Sequence, residues 1–106
     1  RKMKLSILLL TCANNTEADK ISTALLERKL VFCVKKQPVS SSFLWKGKIN
    51  SADEVLLIMD SLENNFKKID EVVSKLHSYD TYVLIAVPAT QTTKNVENWV
   101  KDELAK

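Results

Sequence analysis

His77 and the two cysteines, Cys12 and Cys33, are the side chains in this sequence of 106 residues that are best suited to metal or proton chemistry. Cys12 follows an apolar run, at the point where a strand should give way to a loop and the thiol could meet a metal ion. His77 is the single histidine and could act as a ligand or as a proton-handling group. Structural roles stay open for both residues, because helix ends favour histidine and free cysteines are commonly buried.

The two cysteines are not expected to pair with each other. They lack CxxC spacing, and two cysteines are too few for a disulfide scaffold. Cys12 should end one strand and Cys33 should begin another strand two positions away in the sheet, about 10 Å apart, whereas a disulfide needs Cα atoms within about 7 Å. Free cysteines fit a reducing compartment, so we expect a cytoplasmic protein. The opening on Arg1 instead of methionine leaves room for an upstream segment.

Motifs for several common catalytic chemistries are missing from the sequence. It contains one glycine, Gly47, so it cannot build the usual phosphate-binding loops, and it has no HExxH, nucleophile-elbow or paired-carboxylate signature. The net charge of +3 is spread along the chain, which argues against nucleic-acid binding. No apolar run approaches the ~18 residues of a membrane span. We therefore expect a single non-enzymatic domain over residues 1–106, with no nucleic-acid or membrane partner.

Hydrophobic periodicity predicts the elements that position these residues, in the order β-α-β-β-α-β followed by a third helix. The first helix should begin at a capping box over residues 16–19, which starts at Thr16. The second helix should be capped by Ser61 and end near His77. The fourth strand is predicted over residues 82–87, closed by Pro88, and the third helix over residues 95–104. This order is that of the split β-α-β, or ferredoxin-like, α+β fold.

Gly47 predicts the tip of a long β-hairpin, because glycine adopts positive φ at little cost. The extended stretch before it runs past Pro38 to Trp45. Proline cannot donate a ladder hydrogen bond, so Pro38 predicts either an edge strand or a bulge. Phe43, Trp45 and Trp99 are large apolar side chains of the kind that both interfaces and cores favour.

The other strands predict self-association. An antiparallel sheet with one face in water normally alternates apolar and polar residues, yet residues 7–10, 55–59 and 83–87 are almost continuously apolar. Both faces of the sheet should therefore be covered. The third helix can cover part of the second face, so another copy of the chain is the expected cover for the rest.

The informative short segments are Thr11-Cys12, Phe32-Cys33-Val34, Trp45-Lys46-Gly47-Lys48-Ile49, Glu54-Val55-Leu56-Leu57-Ile58, His77-Ser78-Tyr79-Asp80-Thr81 and Ala86-Val87-Pro88. In combination they resemble the CutA family of divalent-cation tolerance proteins, in one register over nearly the whole chain. The resemblance implies a ferredoxin-like subunit in a tight homotrimer, with the long hairpin strands pairing between subunits. It also implies a link to tolerance of copper and other divalent metals, with no agreed catalytic activity.

The resemblance further implies roles for individual residues. Cys12 and His77 match family positions and are the expected metal ligands, with copper or another divalent ion as the bound metal. A thiolate and an imidazole would suit Cu(I), but two ligands alone do not make a tight site, so donors from other subunits would have to complete it. The residues expected at the subunit interface are Phe43, Trp45, Gly47, Tyr79 and Trp99.

Other proteins with the same element order remain as alternatives. A PII-like trimeric signalling module would bind a small ligand between subunits, but its long flexible loops and phosphate-binding elements are not found. An RNA-recognition module would need stacking aromatics on the central strands, and residues 55–59 have none. An acylphosphatase-like enzyme would need an arginine-bearing anion loop, whereas Arg28 is predicted within helix one.

Overall fold

A four-stranded antiparallel sheet and three α-helices make up the computed structural model, which describes residues 3–104. The strands are β1 Leu5–Cys12, β2 Cys33–Trp45, β3 Lys48–Leu62 and β4 Leu84–Ala89. The helices are α1 Asn15–Glu27, α2 Phe66–Leu76 and α3 Lys94–Glu103, and a 3-10 turn at Glu63–Asn65 leads into α2. The order of elements is the one that the hydrophobic pattern predicts.

The strands lie in the order β2-β3-β1-β4, and every neighbouring pair is antiparallel. Because β3 lies between β1 and β2, these two strands run parallel to each other, as predicted. Cys12 pairs with Val55 in the middle of β3, whereas Cys33 pairs with Asp60 five residues further along that strand. At about 3.4 Å per residue, the two cysteines are separated by about 17 Å along the sheet. Both are free thiols.

The main core lies between one face of the sheet and helices α1 and α2. The strand side chains in it include Leu8, Leu10, Leu57 and Met59, and the helix side chains packed with them include Ile21, Leu25, Ile69 and Val73. Burying each such side chain stabilises the fold by about 1.5–3 kcal/mol. A slip of one residue in the pairing of β1 with β3 would turn the buried leucines to the opposite face, so the core also holds the strand register.

β2 and β3 continue beyond the other strands as a two-stranded hairpin arm, residues 39–54. Their pairing is continuous from Cys33 to Trp45, so Pro38 lies on an edge strand and not in a bulge. Lys46 and Gly47 form the turn with φ of 50° and 77°. Positive φ at both central residues is what a tight type I′ hairpin turn requires. The predicted hairpin tip at Gly47 is therefore confirmed.

The predicted cap of the first helix is wrong. α1 is capped by Asn14, whose Oδ1 accepts a hydrogen bond of 2.9 Å from the backbone N–H of Glu17. Thr16 lies within the first turn of the helix. Asn14 and Glu17 have the spacing of a capping box themselves, and asparagine is a strongly preferred N-cap residue.

The predicted cap of the second helix is also wrong. Ser61 is buried inside β3, and its hydroxyl donates a hydrogen bond of 2.5 Å to the carbonyl oxygen of Leu30. A buried hydroxyl needs a nearby partner, and the carbonyl group of the turn after α1 provides one. Helix α2 instead begins at Phe66, after the 3-10 turn.

Pro88 does not close the last strand as predicted, because β4 continues to Ala89. β4 is an edge strand, and proline is tolerated there because its missing N–H group can face away from the ladder. The sheet face opposite α1 and α2, hereafter the open face, is covered at one end by α3, whose Val100 packs with Leu5. Among the described residues, no helix has the length and apolar character needed to cross a bilayer.

Candidate metal centre

Three potential metal ligands converge where β1 ends, α1 begins and α2 ends. The thiol sulfur of Cys12, a carboxylate oxygen of Glu17 and a ring nitrogen of His77 all lie within 4.8 Å of one another. Cys12 is the last residue of β1, Glu17 lies in the first turn of α1, and His77 is the C-cap of α2. These residues meet because α1 and α2 pack side by side on the same face of the sheet.

The side chain of His77 is fully buried, and both of its ring nitrogens have hydrogen-bond partners. The backbone N–H of Tyr79 donates to Nδ1 over 3.0 Å, and Nε2 lies 2.8 Å from the carbonyl oxygen of Thr11. An amide N–H can only donate and a carbonyl oxygen can only accept, so the ring proton is on Nε2. The end of β1 and the turn after α2 therefore hold the imidazole in one tautomer and one orientation.

The Glu17 carboxylate joins the two loops beside the site. Its Oε2 accepts a hydrogen bond of 2.8 Å from the N–H of Ala13, and its Oε1 accepts one of 2.6 Å from the N–H of Ser78. Burial acts to raise the pKa of Glu17, but the hydrogen bonds from Ala13 and Ser78, with the nearby His77, outweigh burial and lower it. Glu17 therefore keeps its negative charge at neutral pH, 3.7 Å from Nδ1 of His77.

The Cys12 thiol is protonated in this environment. Burial, followed by the negative charges of Glu17 and Glu54, raises the pKa of Cys12 to about 12. A protonated thiol is a poor nucleophile. A bound cation would reverse this balance, because its positive charge would favour the thiolate.

Two tyrosines cover the imidazole. The Tyr82 ring stacks on it with centroids 5.1 Å apart, and the Tyr79 ring is tilted against it at 4.9 Å. The Tyr79 hydroxyl donates to Glu54 over 2.7 Å, and the Tyr82 hydroxyl donates to Asp70. These hydrogen bonds, together with burial, raise the pKa of each tyrosine to about 12. The segment over residues 77–83 is thus tied to β3 by one tyrosine and to α2 by the other.

The donor set fits a borderline or soft cation. Thiolate sulfur, imidazole nitrogen and carboxylate oxygen are the usual ligands of Zn²⁺ in proteins, and thiolate with imidazole also suits copper. Mg²⁺ and Ca²⁺ prefer sites made entirely of oxygen ligands. Cys12, Glu17 and His77 therefore have the chemistry to hold zinc or copper.

The structure brings the two predicted ligands together and adds a third. Cys12 and His77 lie in one cluster, whereas Cys33 lines a separate cleft of about 300 Å³. Glu17 was not among the predicted ligands, because an acidic residue in the first turn of a helix usually serves the helix dipole. The Asn14 to Glu17 spacing was the available signal, since a capping box turns the Glu17 carboxylate back toward the end of the preceding strand.

The five residues predicted at a subunit interface lie in three separate places. Phe43, Trp45 and Gly47 are all in the hairpin arm, where both aromatic side chains are exposed. Tyr79 covers the candidate metal centre, and Trp99 is exposed on α3. Their participation in an interface stays a prediction.

The architecture and the donor cluster together indicate what kind of protein this is. It is a small α+β domain with an antiparallel sheet, a long hairpin arm and a candidate cation site formed by a buried thiol, carboxylate and imidazole. Residues 6–103 match the family model described as CutA1 divalent ion tolerance protein. The chain therefore belongs to the CutA1 divalent ion tolerance family.

Individual relatives agree with this assignment. The divalent-cation tolerance protein CutA of Archaeoglobus fulgidus is 32% identical over 97 residues, which cover 92% of this chain and 95% of that protein. The CutA homolog of Xenopus laevis is 35% identical over 99 residues, but this chain spans only 66% of its length. The solved structure of the periplasmic divalent cation tolerance protein CutA from Archaeoglobus fulgidus has a TM-score of 0.91 at 31% identity, covering 93% of this chain and 97% of that chain.

Proposed function

We propose that this chain binds copper or another thiophilic divalent ion, such as zinc, through Cys12, Glu17 and His77 as part of divalent-cation tolerance. The observation that carries the proposal is the convergence of these three donors within 4.8 Å. The names of its relatives, which are divalent-cation tolerance proteins, support the same conclusion.

The proposed mode of action is binding without catalysis. A nucleophilic or general-base role needs an activated group, and the Cys12 thiol is held protonated by burial and by its acidic neighbours. The His77 imidazole is enclosed, with both ring nitrogens already hydrogen bonded. In the proposed site Cys12 supplies the soft ligand, Glu17 supplies negative charge, and His77 supplies a nitrogen whose orientation is already set.

Equilibrium dialysis against copper and against zinc, followed by elemental analysis, tests metal binding. We expect saturable uptake by the wild-type chain, and we expect Cys12→Ser and His77→Ala each to weaken it by about tenfold or more, because each removes one of three ligands. Cys33→Ser is the matched control, since it removes the other thiol and leaves the cluster intact. Equal uptake by wild type, Cys12→Ser and His77→Ala would contradict the site assignment.

Assembly as a homotrimer of ferredoxin-like subunits belongs to the same proposal. The strand order β2-β3-β1-β4 supports the ferredoxin-like part, because it is the order of the split β-α-β motif. On the open face Ile85 and Val87 are 49% and 41% exposed, and the arm also exposes large apolar side chains. Exposed apolar side chains on this face and on the arm support an interaction site, and a second and third copy of the chain are its proposed partners.

Native mass spectrometry tests the assembly. We expect a species of three times the 12.0 kDa chain mass. Phe43→Ser should shift the species toward monomer. Leu26→Ser is the matched control, because Leu26 is also 42% exposed but lies on α1 and not in the arm, and it should leave the assembly unchanged. A monomeric wild-type chain would overturn the trimer.

The proposed compartment is the cytoplasm or another reducing compartment. Cys12 and Cys33 are both free thiols, and free thiols persist where glutathione and thioredoxin keep them reduced. Fractionation of the native cells with detection of the protein tests this proposal, and recovery from an oxidising compartment would contradict it.

A further inference from the structure

We propose that His77 binds the cation through Nδ1, and that binding there displaces the backbone of Ser78 and Tyr79 from the site. This inference rests on the metal-binding function proposed above. It adds which atom of the imidazole binds and which part of the chain has to move.

The hydrogen bonds of the His77 imidazole determine which of its two ring nitrogens can bind the cation. Nε2 carries the ring proton because it faces the carbonyl oxygen of Thr11 over 2.8 Å. A protonated ring nitrogen has no free lone pair for a metal, so only Nδ1 can bind one while this bond to Thr11 lasts. Nδ1 is also the nitrogen that lies 3.7 Å from Oε2 of Glu17, another member of the donor cluster.

The lone pair of Nδ1 is already used within the chain. It accepts the backbone N–H of Tyr79 over 3.0 Å, and one lone pair cannot serve both this amide and a cation. The neighbouring N–H of Ser78 donates to Oε1 of Glu17 over 2.6 Å. Movement of the Tyr79 amide therefore also loosens the bond to Oε1 of Glu17, whereas Oε2 keeps its hydrogen bond from Ala13.

The hydrogen bond from Nε2 of His77 to the Thr11 carbonyl oxygen, which is kept when the cation binds, has a recognised function in metal sites. A metal-binding histidine almost always donates its other N–H to a carbonyl or carboxylate oxygen, which keeps the ring oriented. The Nε2 hydrogen bond to Thr11 already has this arrangement before any cation binds. The ring therefore needs no tautomer change, and the rearrangement falls on the backbone of Ser78 and Tyr79.

The side chain of Tyr79 opposes this displacement. Its hydroxyl is bonded to Glu54 on β3 over 2.7 Å, so the tie between the segment and the sheet must break or stretch when the amide moves. Tyr79→Phe removes that tie while keeping the aromatic ring and the backbone N–H. Tyr82→Phe is the matched comparison, because it removes the bond to Asp70 on α2 and leaves the tie to the sheet.

Nitrogen NMR of the protein labelled with ¹⁵N-histidine is a direct test, because the chain has a single histidine and the ring signals are unambiguous. Without metal we expect a protonated Nε2 and an unprotonated Nδ1. Diamagnetic zinc should shift the Nδ1 signal, leave Nε2 protonated, and increase the hydrogen exchange of the Ser78 and Tyr79 amides. In stopped-flow mixing with zinc, Tyr79→Phe should bind several-fold faster than wild type and faster than Tyr82→Phe.

A metal-free protein protonated on Nδ1 would overturn the inference, as would a zinc-induced loss of the Nε2 proton. Zinc binding that leaves the Tyr79 amide protected, or a Tyr79→Phe variant that binds no faster than wild type, would overturn the proposed displacement. If the wild-type chain takes up neither zinc nor copper in dialysis, the proposed function fails and this inference fails with it. Uptake of zinc through Nε2 overturns this inference alone.

Discussion

The phenol of Tyr79 donates a hydrogen bond of 2.7 Å to the carboxylate of Glu54, which joins the loop after α2 to the base of the hairpin arm. Glu54 is only 8% exposed, so its carboxylate has little access to water. A buried charge depends on hydrogen-bond partners within the protein. The cover of the candidate metal centre and the strand that carries the arm are therefore linked through one side-chain pair.

Tyr79→Phe should lower the free energy of unfolding by about 1–3 kcal/mol, because it leaves a buried carboxylate without its partner. Urea denaturation at a fixed protein concentration measures this change. Tyr82→Phe is the control, and we expect a smaller loss because its partner Asp70 is only half-buried. Equal losses of stability in the two variants would contradict the explanation that the cost of Tyr79→Phe comes from the buried Glu54 carboxylate.

Cys12 should make the fold less stable at alkaline pH. Its pKa is about 12 in the folded chain against the ordinary value of 9.0. Below pH 9 the thiol is protonated in both the folded and the unfolded states, so its contribution to stability is fully present. As the pH rises from 9 toward 12, the unfolded chain loses this proton while the folded chain retains it, and stability falls. The raised pKa values of Tyr79 and Tyr82 act in the same direction.

Urea unfolding at about pH 8 and at about pH 10.5 measures this loss. We expect a smaller decrease in Cys12→Ala than in the wild-type chain, because the variant has no thiol at this position to titrate. Cys33→Ala keeps the buried thiol and should show the wild-type decrease. A decrease of the same size in Cys12→Ala and wild type would contradict the assignment of the effect to Cys12.

Asn14→Ala should destabilise the chain by about 0.5–2 kcal/mol, because it removes the side-chain oxygen that accepts the Glu17 N–H at the start of α1. Thr16→Ala is the matched control, since Thr16 lies in the same turn without the cap role. Thermal unfolding followed by circular dichroism compares the two variants. A larger loss of stability from Thr16→Ala would contradict the assignment of the cap to Asn14 and favour the capping box predicted at Thr16.

The hairpin turn allows a pair of opposite predictions. Gly47→Ala should destabilise the chain by about 1–2 kcal/mol, because a side chain disfavours positive φ even where the space around it is open, as it is here. Lys46→Asn should stabilise it by a few tenths of a kcal/mol, since asparagine tolerates the φ of 50° better than lysine and Asn-Gly is the favoured type I′ pair. Differential scanning calorimetry measures both changes. A stabilised Gly47→Ala would show that the turn adopts another conformation in solution.

Much of the fold could be predicted from local patterns. The element order and the turn at Gly47 follow from apolar spacing and from the backbone freedom of glycine, and Pro38 limited its strand to an edge position or a bulge. The helix caps were harder to predict, because Thr16 and Ser61 are both residue types that commonly cap helices. In the structure Asn14 caps the first helix, and the Ser61 hydroxyl donates to the carbonyl oxygen of Leu30 instead of capping the second.

The sequence by itself determined the α+β order and the single hairpin glycine, and its family resemblance named Cys12 and His77 as candidate metal ligands. Only the tertiary structure decided that Glu17 joins them, and that the imidazole proton is on Nε2. Those facts depend on hydrogen bonds between residues up to 66 positions apart in the chain, such as His77 with Thr11. Periodicity and spacing report on neighbours within a few residues, whereas contacts of this range exist only once α1 and α2 pack on the sheet.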